Sequence, residues 1–442
     1  MALKEVNMAY TYDIQNHKSD KTSTPCLFIC HALRGVLGTF VSTFFVAYIY
    51  TTLCDTASFT VFDYIFNCGV YYFSLYLAYT LLYHVFSRII DYTNRIWAYR
   101  IAITLQVSLV IVLVFFGQDL ASKIGFVSMV GGLYGMTNAL YFASYQIIRQ
   151  EMVSKRLMAK FSLILTSMQK IVDVVAPITL GFLIDIIAYS KIAIGIAVIG
   201  IIIVTISFWI KAQTPNNSHY SIKEFIAKLK RDTPEMKKIR FSYKTCFFYC
   251  FTDFGANLAY LCVMLTFGST ASLGGIISLT GLLSAIEILL ILKFTKAGKR
   301  SWLFITSGSL ATLATISFAL FPSNATAIIM TVCLGMSYVI VASMFDVMSY
   351  GNLKEGGCYD YIAEHHTIIE TGLGIAGMIS TSLVILIAIS QTKVLLSILT
   401  ILMSLMYLGT LICALIYEKK FKQAEPTPEV VEIEKEPVDK DK

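Results

Sequence analysis

The sequence predicts an all-α polytopic membrane protein of 12 transmembrane helices arranged as two six-helix bundles. Three observations carry this prediction. Apolar runs near 29–53, 59–85, 98–116, 124–147, 160–186, 191–210, 242–266, 270–292, 302–321, 325–350, 365–389 and 393–417 are each long enough to cross a bilayer. About 20 mostly apolar residues cover roughly 30 Å of hydrocarbon. Hydrophobic residues make up 56% of the 442 and charged residues only 14%, where a soluble chain carries about 25%. The largest hydrophilic gap, 212–240, falls in the middle of the chain. Strands of a β-barrel alternate in polarity over about ten residues, and these runs are too long and continuous for that. Lipid then admits only helices, because every backbone polar group must be satisfied within its span.

The chain divides accordingly into an N-terminal tail with the first bundle (1–211), a basic central loop (212–240), a second bundle (241–418) and an acidic tail (419–442). The tail is rich in Pro and Glu and is expected to be disordered. In the central loop Ile222, Phe225, Ile226 and Leu229 share one helical face and lysines fill the other. That pattern predicts an amphipathic helix on an anionic leaflet.

Loop charge orients the spans. Gaps after even-numbered runs hold Arg88 and Arg95, then Arg149, Lys155 and Arg156, then the block from Lys223 to Arg240, then Lys293, Lys296, Lys299 and Arg300. Gaps after odd-numbered runs hold Lys123, Lys191 and Lys393. The positive-inside rule then puts both termini in the cytoplasm of a plasma-membrane protein. The net charge of +7 is a topology signal and implies no nucleic-acid partner. The first 25 residues are polar and show no cleavable signal peptide, so the first span is expected to start insertion itself. Asn324-Ala325-Thr326 fits a glycosylation acceptor on an outer loop, a pattern with meaning only in a eukaryotic cell.

Polarity inside the spans is uneven. Runs 3, 6, 9 and 12 are nearly free of ionisable groups, whereas runs 1, 5, 7, 8, 10 and 11 carry Arg34, Lys170, Asp173, Asp253, Glu287, Asp346, His365, His366 and Glu370. Every third helix is thus suited to face lipid while the others enclose something polar. Four repeats of three helices produce this period.

Short motifs add to the layout. The loop after run 2 reads Ser87-Arg88-Ile89-Ile90-Asp91-Tyr92-Thr93-Asn94-Arg95, and the loop after run 8 reads Thr295-Lys296-Ala297-Gly298-Lys299-Arg300. With these at the same point of both halves, the chain resembles the major facilitator superfamily of secondary transporters over nearly its whole length. The family pattern is Gly-x-x-x-Asp-[Arg/Lys]-x-Gly-[Arg/Lys]. Asp91 and Arg95 fit it, while Ser87 and Asn94 replace glycines and Tyr92 replaces a base. Of the antiporter motif in run 5 only Pro177 and Gly181 remain. The arginine that many proton-coupled members carry in run 4 is absent, and Gly131-Gly132-Leu133-Tyr134-Gly135-Met136-Thr137-Asn138 occupies that helix. The resemblance implies alternating access between two bundles and a gate in which Asp91 meets the opposite half. The expected gate set is Asp91, Arg95, Lys296, Arg300, His365 and His366, the histidines lying at a helix N-terminus that favours a carboxylate. The other reading of Asp91 is a helix cap or a pair with Arg95.

Intramembrane ionisable groups are expensive and mark candidate sites. Asp253 lies near mid-depth of run 7 with Asn257 one turn on and no base within four residues. It is expected to find a partner on another helix, bind a cation or take up a proton. Lys170 and Asp173 share one face of run 5 and form either a coupling site or a structural ion pair. Glu287 and Glu370 sit at a depth that suits an inner gate or snorkelling, and Arg34 can pair with either. Tyr72, Tyr76, Tyr79 and Tyr83 are spaced 4, 3 and 4 and share a face; Tyr141 and Tyr145, with Phe247, Phe251 and Phe254, extend the aromatic surface. Such a stripe suits an aromatic or amphipathic substrate, and equally suits helix packing. Asn138 completes the expected cavity.

Gly372-Leu373-Gly374-Ile375-Ala376-Gly377 matches a dinucleotide-binding expression, but it lies inside a span with no preceding strand. Close helix approach is the expected use. Cys26/Cys30 and Cys246/Cys250 are four apart and read as small packing residues. The sequence holds no phosphate loop, nucleophile–base set or metal cluster, so no enzyme activity, cofactor or metal is expected. The functional expectation is a monomeric secondary transporter of a small molecule, coupled to a proton or sodium ion. A non-transporting receptor or scaffold, and a flippase for an amphipathic or lipid-linked substrate, are the alternatives.

Topology is directly testable. With Asn217→Cys or Ser323→Cys in a cysteine-free background, an impermeant thiol reagent added to intact cells is expected to label position 323 and spare position 217. Labelling of position 217 from outside overturns the orientation.

Overall fold

A computed structural model describes residues 23–54, 59–92, 94–120, 123–152, 158–187, 189–211, 220–294 and 301–421. The acidic tail beyond 421 and the stretch 212–219 lie outside the described residues. Every regular element among the described residues is helical. Ser23–Thr39 (α1) runs through a π-turn at Phe40–Phe44 into Phe45–Cys54 (α2). Val61–Tyr92 (α3), Arg95–Leu120 (α4), Ile124–Met152 (α5), Met158–Ile186 (α6) and Tyr189–Ser207 (α7) complete a first group. The short Ile222–Leu229 (α8) leads to a second group: Pro234–Phe267 (α9), Thr270–Phe294 (α10), Ser301–Leu320 (α11), Asn324–Glu355 (α12), Ile362–Ser390 (α13) and Lys393–Lys420 (α14). Among the described residues nine helices are long and apolar enough to cross a membrane. The chain is therefore an integral multi-pass membrane protein.

Helix ends follow local chemistry. Thr233 accepts the Met236 N–H ahead of α9, and Pro234 fills the first helical position, where its missing N–H costs nothing. The same helix stops at Gly268, whose φ of 63° is open to glycine without strain. The π-turn widens α1 so that its carbonyls can take outside donors. The hydroxyls of Tyr189, Tyr71 and Tyr72 donate to the carbonyls of Phe40, Val41 and Ser42 at 3.4, 2.8 and 3.5 Å.

Within the first group α3 packs along α5, and α4 packs against α5 and α7; within the second, α9 packs against α12 and α14, and α11 against α14. The groups meet chiefly through α3 against α13 and α6 against α10. Helices α4, α7, α11 and α14 turn large apolar side chains outward, among them Ile101, Phe115, Ile194, Val198, Leu310, Leu313 and Leu402. These are the runs the sequence left free of charge.

Small residues set the closest approaches. A Cβ on Gly135 would stand 2.1 Å from the Leu75 carbonyl oxygen, and one on Gly131 2.3 Å from that of Tyr71. Between the groups, a Cβ on Gly181 would meet the Thr270 oxygen at 2.5 Å, and one on Gly274 the Pro177 oxygen at 2.2 Å. Gly374 and Gly377 lie against Thr80 and Tyr76 of α3 in the same way, the use expected of this glycine motif.

The amphipathic α8 turns part of its apolar face to protein: Phe225 and Leu229 are buried against Met236, Ile239, Leu353 and Cys358. Phe225 stacks on Tyr361 at 5.4 Å between centroids. Ile226 of the same face stays exposed. Ser221 caps α8, and its own N–H donates to Glu364 at 2.7 Å.

The α3–α5 contact yields a stability prediction. Gly135→Val forces a side chain into backbone, and overpacking of this kind costs about 1–3 kcal/mol. Thermal unfolding in detergent is expected several degrees below the parent, whereas Gly132→Ala, with nothing near its Cβ position, melts with the parent. Equal melting of both variants overturns the backbone contact.

Candidate functional site

Helix α3 brings the tyrosine face to the acids of the second group. Tyr76 donates its hydroxyl to Asp253 Oδ2 at 3.0 Å, and Asn257 Nδ2 donates to the Tyr76 oxygen at 3.4 Å. One turn along, Tyr79 donates to Glu370 Oε2 at 2.7 Å. Tyr76 and Tyr79 are buried, while Asp253, Asn257 and Glu370 are half-buried. Tyr72 lies edge-on to Phe254, with ring centroids 6.0 Å apart. A carboxylate in low dielectric needs donors to stand in for water, and here the other helix group supplies them. The expected cavity residues Asp253, Asn257, Glu370, Tyr72, Tyr76 and Tyr79 thus fall in one cross-group network.

The Lys170–Asp173 pair forms within α6 at 2.9 Å, and Gln169 also donates to Asp173 at 2.9 Å. Tyr260 of α9 lies within electrostatic reach of both Asp173 and Asp253, so this pair borders the same region. Asn138 and Tyr145 fall elsewhere. Asn138 accepts a hydrogen bond from Arg34, which also donates to Gln106 at 3.2 Å. Tyr145 stacks on His31 at 4.3 Å. Arg34 therefore pairs with amides of its own group, and neither glutamate expected as a partner is among its contacts. The Glu287 Oε2 atom is buried without a hydrogen bond among the described residues.

The gate residues divide three ways. The Asp91 side chain, Lys296 and Arg300 lie outside the described residues. Arg95 is buried at the start of α4. His365 is engaged inside the second group, its Nδ1 2.5 Å from the Tyr243 hydroxyl and its Nε2 2.6 Å from that of Ser349. His366 is also buried.

Two further contacts tie the groups at opposite ends. At one end, Asp185 of α6 accepts from the hydroxyls of Ser269, at 3.2 Å, and Thr270, and from the Ala271 N–H at 3.1 Å. A carboxylate here faces the positive end of the α10 dipole. At the other, the Tyr220 hydroxyl lies 3.2 Å from His84 Nδ1 of α3 and donates to Thr367 of α13 at 3.1 Å. Sequence reasoning missed both. A charge at the end of a span is ordinary, and no spacing rule links residue 185 to residue 270 or residue 84 to residue 220.

An apolar groove of about 530 Å³ lies between α6 and α7, with Val36 of α1 and Lys191 among the residues that line it.

No family model and no curated protein matches the chain in sequence. Solved structures do match in fold. A POT family transporter in complex with a thioalcohol-conjugated peptide superposes with a TM-score of 0.64 at 14% identity, covering 90% of this chain and 96% of that one. A POT family transporter in complex with 5-aminolevulinic acid gives 0.61 at 14% identity over the same shares. A mutant of the nucleoside transporter NupG gives 0.59 at 13% identity, covering 90% of this chain and 99% of that one. The chain is thus similar in fold to these transporters over nearly its full length.

Proposed function

We propose that this protein is a secondary active transporter of a small molecule, with 12 spans in two six-helix bundles of the major facilitator type. Both termini and α8 lie in the cytoplasm of a plasma-membrane protein. The observation that carries the reading is the set of buried polar contacts between α3 and helices α9 and α13, in a fold shared with transporters. A core built only for packing has no use for two carboxylates there, since hydrophobic replacements of buried polar pairs are often neutral or stabilising. In this orientation Asp185 and Thr270 close the outer side and Tyr220 bridges the inner side. Rocking one bundle against the other exchanges these contacts.

Coupling runs through Asp253 in this reading. Its ionised form accepts the Tyr76 hydroxyl and holds the bundles together; a bound proton or sodium ion changes that acceptor. An ion shifts such an equilibrium only through different affinity for the two states. The α6–α7 groove favours a second reading, a flippase whose lipid-like substrate enters from the side. Uptake of a water-soluble substrate into proteoliposomes free of lipid transfer decides between them.

Two outcomes test the proposal. Asp253→Asn is expected to abolish accumulation against a gradient in proteoliposomes while sparing substrate exchange; accumulation at the parental level removes Asp253 as the coupling site. Asp185→Asn replaces the charged acceptor with a neutral amide and weakens hydrogen bonds worth about 0.5–1.5 kcal/mol each. It is expected to shift the population several-fold toward outward-open states, read as a longer distance between spin labels at Ile186→Cys and Ser272→Cys. An unchanged distance distribution overturns the outer gate.

A further inference from the structure

Two guanidinium groups of the first group lie over one aromatic stack, and among the described residues neither forms an ion pair with a carboxylate. Arg34 is buried, with 7% of its surface exposed. Its Cζ lies 4.2 Å from the Tyr141 ring centroid and 4.9 Å from that of Phe142, and its hydrogen bonds go to the neutral amides of Gln106 and Asn138. The Cζ of Arg149 lies 6.0 Å from the Tyr145 ring, and its Nε is buried without a hydrogen bond. The Tyr145 hydroxyl is buried beside the Arg149 guanidinium. His31 joins the two arginines. It stacks on Tyr145, stands 2.7 Å from the Tyr141 hydroxyl and lies within electrostatic reach of both guanidiniums. His366 of the second group is buried within reach of Arg149. Glu370, one turn beyond His366, accepts from Tyr79.

Like charges collected in a buried place oppose folding unless something compensates them. Ring faces and amides offset part of this, yet among the described residues they leave the Arg149 Nε without a hydrogen bond. The Arg149 guanidinium, with the Arg34 charge and the Tyr145 hydroxyl beside it, matches a planar or tetrahedral oxyanion.

We propose that Arg34, Arg149 and Tyr145 form an oxyanion subsite that takes a carboxylate or phosphate group of the transported molecule. The proposal rests on the transporter reading and names its substrate class: an anion. The acids Asp253 and Glu370 are held by tyrosine hydroxyls.

The test uses the full chain purified in detergent and titrated calorimetrically with inorganic phosphate, acetate and succinate, with chloride at equal ionic strength as control. Saturable binding of phosphate alone assigns a phosphate group; binding of acetate or succinate assigns a carboxylate. Arg149→Gln is expected to weaken that binding at least tenfold. Arg34→Lys, which keeps the charge and loses the fork, is expected to weaken it as well. Lys191→Gln, at the membrane-facing groove, retains the parental affinity. Arg149 is only half-buried, so its variant decides the question even where the Arg34 variant does not fold, and thermal unfolding checks that it is native. No saturable binding of any of the three oxyanions, or parental affinity in Arg149→Gln, overturns the subsite. Counterflow in proteoliposomes separates the two claims. Anion binding without counterflow leaves the subsite and removes transport; counterflow of a neutral solute without anion binding removes the subsite and leaves transport.

Discussion

The hydrogen bonds from Tyr76 and Tyr79 to Asp253 and Glu370 are the contacts on which the arrangement of the two helix groups turns. A carboxylate half-buried inside a bundle is poorly served by water, and a missing donor costs more than a typical hydrogen bond contributes. The donors stand on α3, and α3 is held on two sides by close contact. Gly131 and Gly135 let α5 touch its backbone, while Gly374 and Gly377 let α13 reach Thr80 and Tyr76. With both flanks fixed, the tyrosine face has one direction left, toward α9 and α13. Placing the acids therefore depends on glycines that carry no chemistry of their own.

The contacts at the two ends of the molecule differ in kind. Asp185 meets two hydroxyls and an N–H at the start of α10, so a full charge faces a helix dipole. Tyr220 bridges a histidine and a threonine through one neutral hydroxyl, and the segment that holds it is anchored by Phe225 and Leu229 in the second group. The Asp185 contact is local to two helices, whereas the Tyr220 contact depends on a docked linker. Packed interfaces of this sort switch between discrete arrangements rather than deforming smoothly.

Charge is sorted across the interior. The described acids near its centre, Asp173, Asp253 and Glu370, gather around α3, α6, α9 and α13 with hydroxyl, amide or lysine partners. The arginines Arg34 and Arg149 gather on α1 and α5 over an aromatic stack. The fold thus keeps these two sets on different helices rather than pairing them across the interior.

Hydropathy and the period of three were legible in the sequence because each is a sum over many residues, and lipid imposes helices on any run so apolar. The face shared by Tyr72, Tyr76 and Tyr79 was legible too, since helical spacing is local. The isolated acid Asp253 announced that it needed a partner on another helix. Which partner it takes was not legible: Tyr76 lies 177 residues away, and no local rule reaches that far. The same holds for Arg34, which the sequence allowed to meet a glutamate and which the fold gives to Gln106 and Asn138, and for α8, whose apolar face fits a leaflet or a protein pocket equally well. By itself the sequence determined the helices, their lipid faces and the need for buried partners, because those follow from composition and period. Only the tertiary structure decided who the partners are, because that depends on which backbones the glycines allow to touch.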